Sequence, residues 1–376
     1  MKIIHLLTDL RQGGAERLAI NICDKLSETH QVYLILLKER NDKVYNIPKN
    51  VSKIICNSFA RPSLKFYHEN NLLEFKKILD EVKPDIIHVH TSEGYWLAAY
   101  TMKNSIKYFF HFHNNLELFE KFNIKKISFN IIRNLIYKNI FFKRINDFNV
   151  TFITISSENH LYYKRNLNNN KIILLPNAID FNKFNSKRIV NKNLDEIKFI
   201  SVGRLDLYKN QIYLIKAFEL LIKTKKIKAK LILVGDGEKK ELLINKANEL
   251  SIIDLIEFKG NVNNVDEVLS ACHVYLHAGL NEGAPLAPLE AMASGLPCVV
   301  LNTTGMKDII FNNKNGFIIN YNLNNINASI NEFCSAIYSI ISNKISYTNF
   351  SNEAVLLASN FDFNDYIEKL SKIYND

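Results

Sequence analysis

A chain of 376 residues, 47% of them apolar and 23% charged, has the composition of a folded protein and the length for two domains. No apolar run approaches the roughly 20 residues that span a bilayer, and Met1-Lys2-Ile3-Ile4 reads as a buried strand, not a signal peptide, so a cytoplasmic location is the expectation. The formal charge of +10 calls for an anionic partner (nucleic acid, an anionic membrane or a phosphorylated small molecule), and five scattered cysteines without C-x-x-C spacing argue against disulfides and zinc.

In chain order, Lys2 to Leu7 is a predicted strand, Ala15 to Leu26 a helix with Leu18, Ala19, Ile22 and Leu26 on one face, and Val32 to Leu37 a second strand. A helix over Phe75 to Val82 stops at Pro84. Ile86 to Val89, Tyr108 to Phe112 and Thr151 to Ile155 follow as strands, and Leu174 to Asn177 closes the series. The polar stretch from Asn182 to Glu196 reads as a linker. A second series then opens with strand Phe199 to Val202, a helix near Gln211 to Leu221 and strand Leu231 to Val234. Further strands are expected at Leu255 to Phe258, Val274 to His277, Cys298 to Leu301 and Gly316 to Ile319. Strand–helix alternation of this kind gives parallel sheets with right-handed crossovers, here two in tandem. Ligands of such sheets bind beyond the carboxyl ends of the strands, which is where chemistry should be sought.

The most informative loop is Leu280-Asn281-Glu282-Gly283-Ala284-Pro285-Leu286-Ala287-Pro288-Leu289-Glu290-Ala291-Met292-Ala293-Ser294-Gly295-Leu296-Pro297. Pro288 and Gly295 punctuate a short helix starting near Ala287, which puts Glu290 in its first turn and Glu282 in the loop before it. A carboxylate is a pure acceptor that can hold two sugar hydroxyls, and the helix N-terminus favours a phosphate. On spacing alone, Glu290 could equally be complementing the helix dipole.

This loop resembles the E-x7-E signature of the retaining family-4 (group 1) glycosyltransferases of the bacterial surface-polysaccharide type, with E-A-M-A-S-G-L-P following. The resemblance implies an α/β GT-B fold, two doubly wound Rossmann-like domains facing across a cleft. It implies that Glu290 holds the ribose, that Glu282 contacts the donor sugar, and that the Gly283, Ala284 and Leu286 amides line the sugar and phosphates. Pro285 has no N–H to give. After a strand, Ser201-Val202-Gly203-Arg204-Leu205-Asp206-Leu207-Tyr208-Lys209-Asn210 offers two cations for a diphosphate, and G-R-L with a downstream K-N resembles the family's diphosphate clamp, Arg204 and Lys209. The pair Gly13-Gly14 before the first helix is not G-x-G-x-x-G, so an NAD-type site is poorly supported; it resembles the family's G-G-A-E loop near donor and acceptor.

Histidines crowd strand ends in the first half: His88, His90, His111 and His113. Alternation sets His111 and His113 on one face and Phe112 on the other. No carboxylate or cysteine accompanies them at ligand spacing and no D-x-D occurs in the chain, so no metal or other cofactor is expected. A family histidine lies beside the reacting sugar, and His113, followed by Asn114, matches it best, with His111 the alternative. L-L-P-N-A-I-D at Leu174 to Asp180, Val234-Gly235-Asp236-Gly237-Glu238, Phe258-Lys259-Gly260 and the loop Thr304-Gly305-Met306-Lys307-Asp308 also resemble family segments, Ala178 and Asp308 being departures.

The resemblance therefore implies an acceptor-binding domain over 1–180, a nucleotide-sugar donor domain over 196–355, and a helix within 356–376 crossing back to the first domain. The reaction it implies is transfer of a hexose or N-acetylhexosamine from a nucleotide diphosphate sugar, UDP-linked, to a glycan or polyprenyl-linked acceptor, with retained configuration. The basic, aromatic stretch 115–148, with Lys125, Lys126 and Arg133 among Phe122, Phe129 and Ile132, would suit an anionic membrane interface at the inner face of the cell membrane; an inward-packed apolar face explains it as well. Another two-domain nucleotide-sugar enzyme such as an epimerase, or a non-catalytic basic binding protein, remain alternatives. No recognised nucleic-acid module is present, and no nucleic-acid partner is expected.

Overall fold

The computed structural model describes residues 1–10, 13–39, 45–58, 70–113, 141–145, 148–166, 171–190, 192–280 and 282–376. The chain divides into two compact units, Met1–Pro176 with Ile367–Asp376, and Asn177–Tyr366.

In the first unit, β1 (Lys2–Leu7), β2 (Gln31–Leu36), β3 (Ser52–Ile55), β4 (Ile86–Val89), β5 (Lys107–Phe112), β6 (Val150–Thr154) and β7 (Lys171–Leu174) form one sheet in the order β3-β2-β1-β4-β5-β6-β7. Every pairing is parallel. Alternation decides which side chains enter the core. Ile4, Leu6, Ile87, Val89, Tyr108, Phe110 and Phe112 are buried in one cluster with Trp96 and Tyr163, so His5, His88, His90, His111 and His113 take the opposite face. The last helix, Phe363–Asn375, brings Tyr374 to that face, where its ring packs 4.8 Å from Phe109.

In the second unit, β8 (Ile197–Val202), β9 (Ala229–Val234), β10 (Ile256–Gly260), β11 (Val274–His277), β12 (Cys298–Leu301) and β13 (Gly316–Ile319) form a parallel sheet ordered β10-β9-β8-β11-β12-β13. Successive residues enter different cores: Phe199, Leu231, Leu233, Val274, Leu276 and Val299 join one, Ile200, Ile232, Val234, Tyr275, Cys298 and Val300 the other. Burial on both faces is why these strands read as unbroken apolar runs.

The stretch expected to be a linker is built into this unit. Asp180 accepts from Lys183 N at 3.0 Å and caps a helix over Phe181–Asn185 whose Phe184 is buried. Further on, Lys192 Nζ donates to the Cys272 carbonyl and His273 Nε2 meets the Asn193 carbonyl at 2.8 Å. Polar composition hid these anchors, which use backbone and side-chain caps where apolar burial is sparse.

Candidate functional site

A doubly wound sheet opens a crevice where strand order reverses. In the second unit that point lies between β8 and β11. The loop after β8 carries Gly203 to Lys209, and the loop after β11 carries Gly279 to Pro285. Leu280 N donates to the Tyr208 carbonyl at 2.9 Å, which ties the two loops together.

The expected cations sit on these loops, each paired with a carboxylate. Lys209 Nζ donates to Glu282 Oε1 at 2.5 Å. Arg204 Nε donates to Asp206 Oδ2 at 2.6 Å, and the other oxygen of Asp206 accepts from Lys209 N at 2.9 Å, so one aspartate orients both cations. His277 Nε2 lies 3.3 Å from Glu282 Oε1. Burial by itself would push the Glu282 carboxyl up, but the His277 imidazole and the Lys209 ammonium beside it hold it down at about 2. Gly279 leaves room for this trio, since a Cβ there would stand 2.6 Å from both Glu282 Oε1 and His277 Nε2. Sequence reasoning did not single out His277 or the orienting role of Asp206. The available signal for His277 was its place as the last residue of a recognised strand.

Gly283 and Ala284 form a half-buried loop held from two sides. Asn177 Nδ2 donates to the Ala284 carbonyl at 2.7 Å, and Gly305 packs so closely that a Cβ would be 2.0 Å from Gly283 O. Pro285, extended, is the N-cap, and the helix runs Leu286–Ala293. It starts one residue before the expected Ala287, so Glu290 falls in the second turn, not the first. The reason is Pro285, whose fixed φ and missing N–H suit the cap itself. Glu290 is 3% exposed among buried Leu286, Leu289, Ala291 and Met292. That depth removes the reading of Glu290 as a first-turn acid serving the dipole. The buried Tyr275 phenol is raised well above its ordinary range by burial first, then by Cys298 and by both Glu282 and Glu290.

In the first unit, Gly13 is the N-cap of the helix Gly14–Leu26, so Gly14 is its first residue and not part of the preceding turn. Tyr45 Oη donates to Gly13 O at 2.9 Å and accepts from Gly13 N at 3.3 Å. Arg11, Gln12 and Asn114 lie outside the described residues. At the β1/β4 switch point, Thr8 Oγ1 is 2.9 Å from both Thr91 Oγ1 and Glu93 Oε2. Burial would raise Glu93, while its own amide and the Thr8 and Ser92 hydroxyls bring it below the usual carboxylate range. This acid went unnoticed in the sequence.

His113, just past β5, is buried, and so are His88, His90, His111 and also His5. Ring nitrogens of His5, His88 and His90 lie within 4.8 Å of one another, as do those of His90, His111 and His113. Among the described residues these are the groupings able to hold a metal ion, and His5 was not foreseen as a member. Within these groupings the nitrogen pairs His5–His90, His90–His113 and His88–His111 stand at 3.0, 3.0 and 3.2 Å, hydrogen-bonding distance. Burial holds His5 and His113 down to about 3, and burial followed by the neighbouring imidazoles holds His88, His90 and His111 well below 6.5.

Of the basic stretch 115–148, residues 115–140, 146 and 147 lie outside the described residues. Phe141 and Ile145 are buried in the first-unit core, with Phe141 edge-on to Trp96 at 5.2 Å, and the Arg144 guanidinium sits over the Tyr100 ring. These apolar residues are thus spent inside the protein. No described helix is long and apolar enough to cross a membrane.

Two parallel doubly wound units in succession, the second with paired cations and carboxylates at its switch point, define the α/β GT-B class. The fold is shared with sucrose-phosphate synthase from Thermosynechococcus elongatus (TM-score 0.79, 15% identity, 100% of this chain and 98% of that one). It is shared equally with Anabaena Alr3699/HepE in complex with UDP-glucose (TM-score 0.77, 18% identity, 100% and 99%). The glycosyltransferase family 4 model matches residues 12–183 and the glycosyl transferases group 1 model residues 182–355. The chain belongs to the family-4, group 1 glycosyltransferases and is a transferase enzyme. Over its whole length it is 24% identical to an Escherichia coli UDP-Gal:alpha-D-GlcNAc-diphosphoundecaprenol alpha-1,3-galactosyltransferase, covering 97% of it. It is also 24% identical, over 85% of this chain and 84% of the relative, to a Campylobacter jejuni alpha-1,4-N-acetyl-D-galactosaminyltransferase whose named acceptor is a diphospho-undecaprenol-linked glycan.

Proposed function

We propose that this glycosyltransferase moves a hexose or N-acetylhexosamine from a UDP-linked donor to a polyprenyl-diphosphate-linked glycan in surface polysaccharide synthesis. Configuration is retained, and the chain works without a metal at the inner face of the cell membrane. The observation that carries this reading is the charge pattern of the second unit: Arg204 and Lys209 held by Asp206 and Glu282 at one switch point. The named donors and acceptors of the Escherichia coli and Campylobacter relatives support the substrate classes.

In the proposed reaction the bond between the anomeric carbon and the diphosphate oxygen breaks while an acceptor hydroxyl oxygen bonds to that carbon. The hydroxyl proton leaves with the diphosphate. Negative charge therefore grows on the leaving phosphate, and Arg204, Lys209 and the N-terminal amides at Leu286 are the groups to stabilise it. Each charge-assisted bond contributes about 1.5–3 kcal/mol. Glu282, ionised over the whole physiological range, accepts from donor-sugar hydroxyls, and Glu290 from the ribose. Gly13 and Gly14 bring backbone close to the substrates, and neutral His113 offers Nδ1, the ring nitrogen that does not face His90, to the reacting sugar.

A thermal-shift screen across UDP-, GDP- and dTDP-sugars, with and without EDTA, tests the donor. A UDP-sugar should raise the Tm in proportion to its excess over Kd, with no loss in EDTA. Transfer is then followed with labelled sugar and a polyprenyl-diphosphate-linked acceptor. Sugar conversion without acceptor glycosylation would replace this reading with an epimerase-like one.

A further inference from the structure

The five buried histidines of the first unit form two hydrogen-bonded rows. In one, His5 Nδ1 is 3.0 Å from His90 Nε2, and His90 Nδ1 is 3.0 Å from His113 Nε2. Ring centroids in both links are 5.3 Å apart and the planes differ by only 19° and 22°. The excess of centroid spacing over nitrogen spacing is one ring diameter, so the rings lie edge to edge in nearly one plane. In the other row, Tyr374 Oη is 2.5 Å from His88 Nδ1, and His88 Nε2 is 3.2 Å from His111 Nδ1. The rows lie against each other, His88 over His90 at 4.2 Å and His111 over His113 at 3.9 Å.

A neutral imidazole has one N–H and one bare nitrogen, and each link needs one of each. If His5 donates from Nδ1, His90 must be bare at Nε2 and therefore protonated at Nδ1. It then donates to His113 Nε2, and His113 is protonated at Nδ1. Reversing any one ring reverses all three. The two ends decide the sense. His5 Nε2 and His113 Nδ1 have no partner among the described residues, and a buried orphan N–H is worse tolerated than an under-satisfied acceptor. Both end nitrogens are themselves enclosed, but His113 follows β5 at the carboxyl edge of the sheet, where ligands of such folds bind, whereas His5 lies within β1, so the N–H without a protein partner is better placed at His113.

We propose that His5 and His90 are positioning residues that lock His113 as the Nδ1–H tautomer, so that the row presents a fixed donor at His113 Nδ1 to a substrate oxygen. The catalytic use of that donor rests on the assignment of His113 under Proposed function; the lock itself does not.

The test is two-bond 1H–15N correlation spectroscopy of the full chain labelled with 15N-histidine, at pH 7.5, on wild type, His5→Phe and His5→Gln. Trp96 fluorescence reports whether each variant is folded, and the Gln variant serves if Phe does not fold. Wild type should show His5, His90 and His113 all as Nδ1–H tautomers. In His5→Phe, His90 and His113 should both leave that pattern while His111 keeps its own. Opposite tautomers in His90 and His113 of wild type, or a His113 signal unmoved in a folded His5 variant, overturns the lock. In parallel, kcat for sugar transfer should fall about tenfold in His5→Phe at unchanged donor KM. Shifted tautomers with unchanged kcat would uphold the lock and overturn the role of His113 in the reaction.

Discussion

Lys209 Nζ donates to Glu282 Oε1 over 2.5 Å, joining the loop after β8 to the loop after β11. Their side chains are 25% and 11% exposed, so the pair is only partly screened by water. The ammonium is placed to serve a diphosphate, and meanwhile it neutralises an acid that His277 also faces. Lys209→Ala should therefore cut sugar transfer at least tenfold and cost about 1–3 kcal/mol of stability. Adding Glu282→Gln should recover part of the stability and none of the activity. Urea unfolding and initial rates on the two single variants and the double variant measure both; near-wild-type rates in Lys209→Ala would remove Lys209 from the clamp.

The same acid gives a pH signature. Glu282 is held at about 2 in the folded chain against an ordinary 4.5. Its ionised form is thus favoured by folding, and the stability it adds is complete above about pH 4.5 and lost as pH falls toward 2. The size is on the order of 3 kcal/mol. Glu282→Gln should flatten the stability profile of the second unit in that window relative to wild type, as read by hydrogen exchange of β8 and β11 amides. Parallel profiles for the two proteins would contradict the pairing.

Gly305 tests the loop that follows Glu282. A Cβ there meets Gly283 O at 2.0 Å and Ala284 Cα at 2.6 Å, backbone atoms that cannot rotate away. Gly305→Ala must displace the 283–284 loop at a cost of about 1–3 kcal/mol. Since the loop and the Leu286 amide are the proposed phosphate seat, Kd for UDP should rise about tenfold or more by calorimetry. Asn177→Ala, which loses only the bond to Ala284 O, should give a smaller change in the same direction.

Much of this architecture was legible because burial on both faces leaves a plain trace. Val274–His277, Cys298–Leu301 and Gly316–Ile319 fall where the apolar runs place them. The edge strand Ser52–Ile55, half exposed, carries no such run and was not foreseen. The loops bearing Arg204, Lys209, Glu282 and Glu290 were readable because Gly and Pro punctuate them, yet the turn holding Glu290 was misplaced since either Pro285 or Pro288 could start the helix. His277 and His5 were invisible for another reason. Their roles come from neighbours 5 and 85 positions away, Glu282 and His90, which no local pattern reports.

The histidine rows should make the first unit acid-labile. His5 and His113 sit near 3 in the folded chain against 6.5 when exposed, with His88, His90 and His111 also lowered. Between those values the unfolded chain binds more protons than the folded one, so stability rises with pH and falls as pH drops below about 6.5. The sign is the same for all five rings, and the window opens at about 6.5, above the 4.5 at which that of Glu282 opens, and overlaps it only below that value. Trp96, the single tryptophan and buried in the first-unit core, isolates this unit optically. Urea midpoints from its fluorescence should decline steadily from pH 7.5 to 5, with a proton-linkage slope of several protons at the acid end. His5→Phe should lower that slope by about one proton. A midpoint constant down to pH 5 would mean that the rings are not held neutral, and the hydrogen-bonded rows could not exist in the form described.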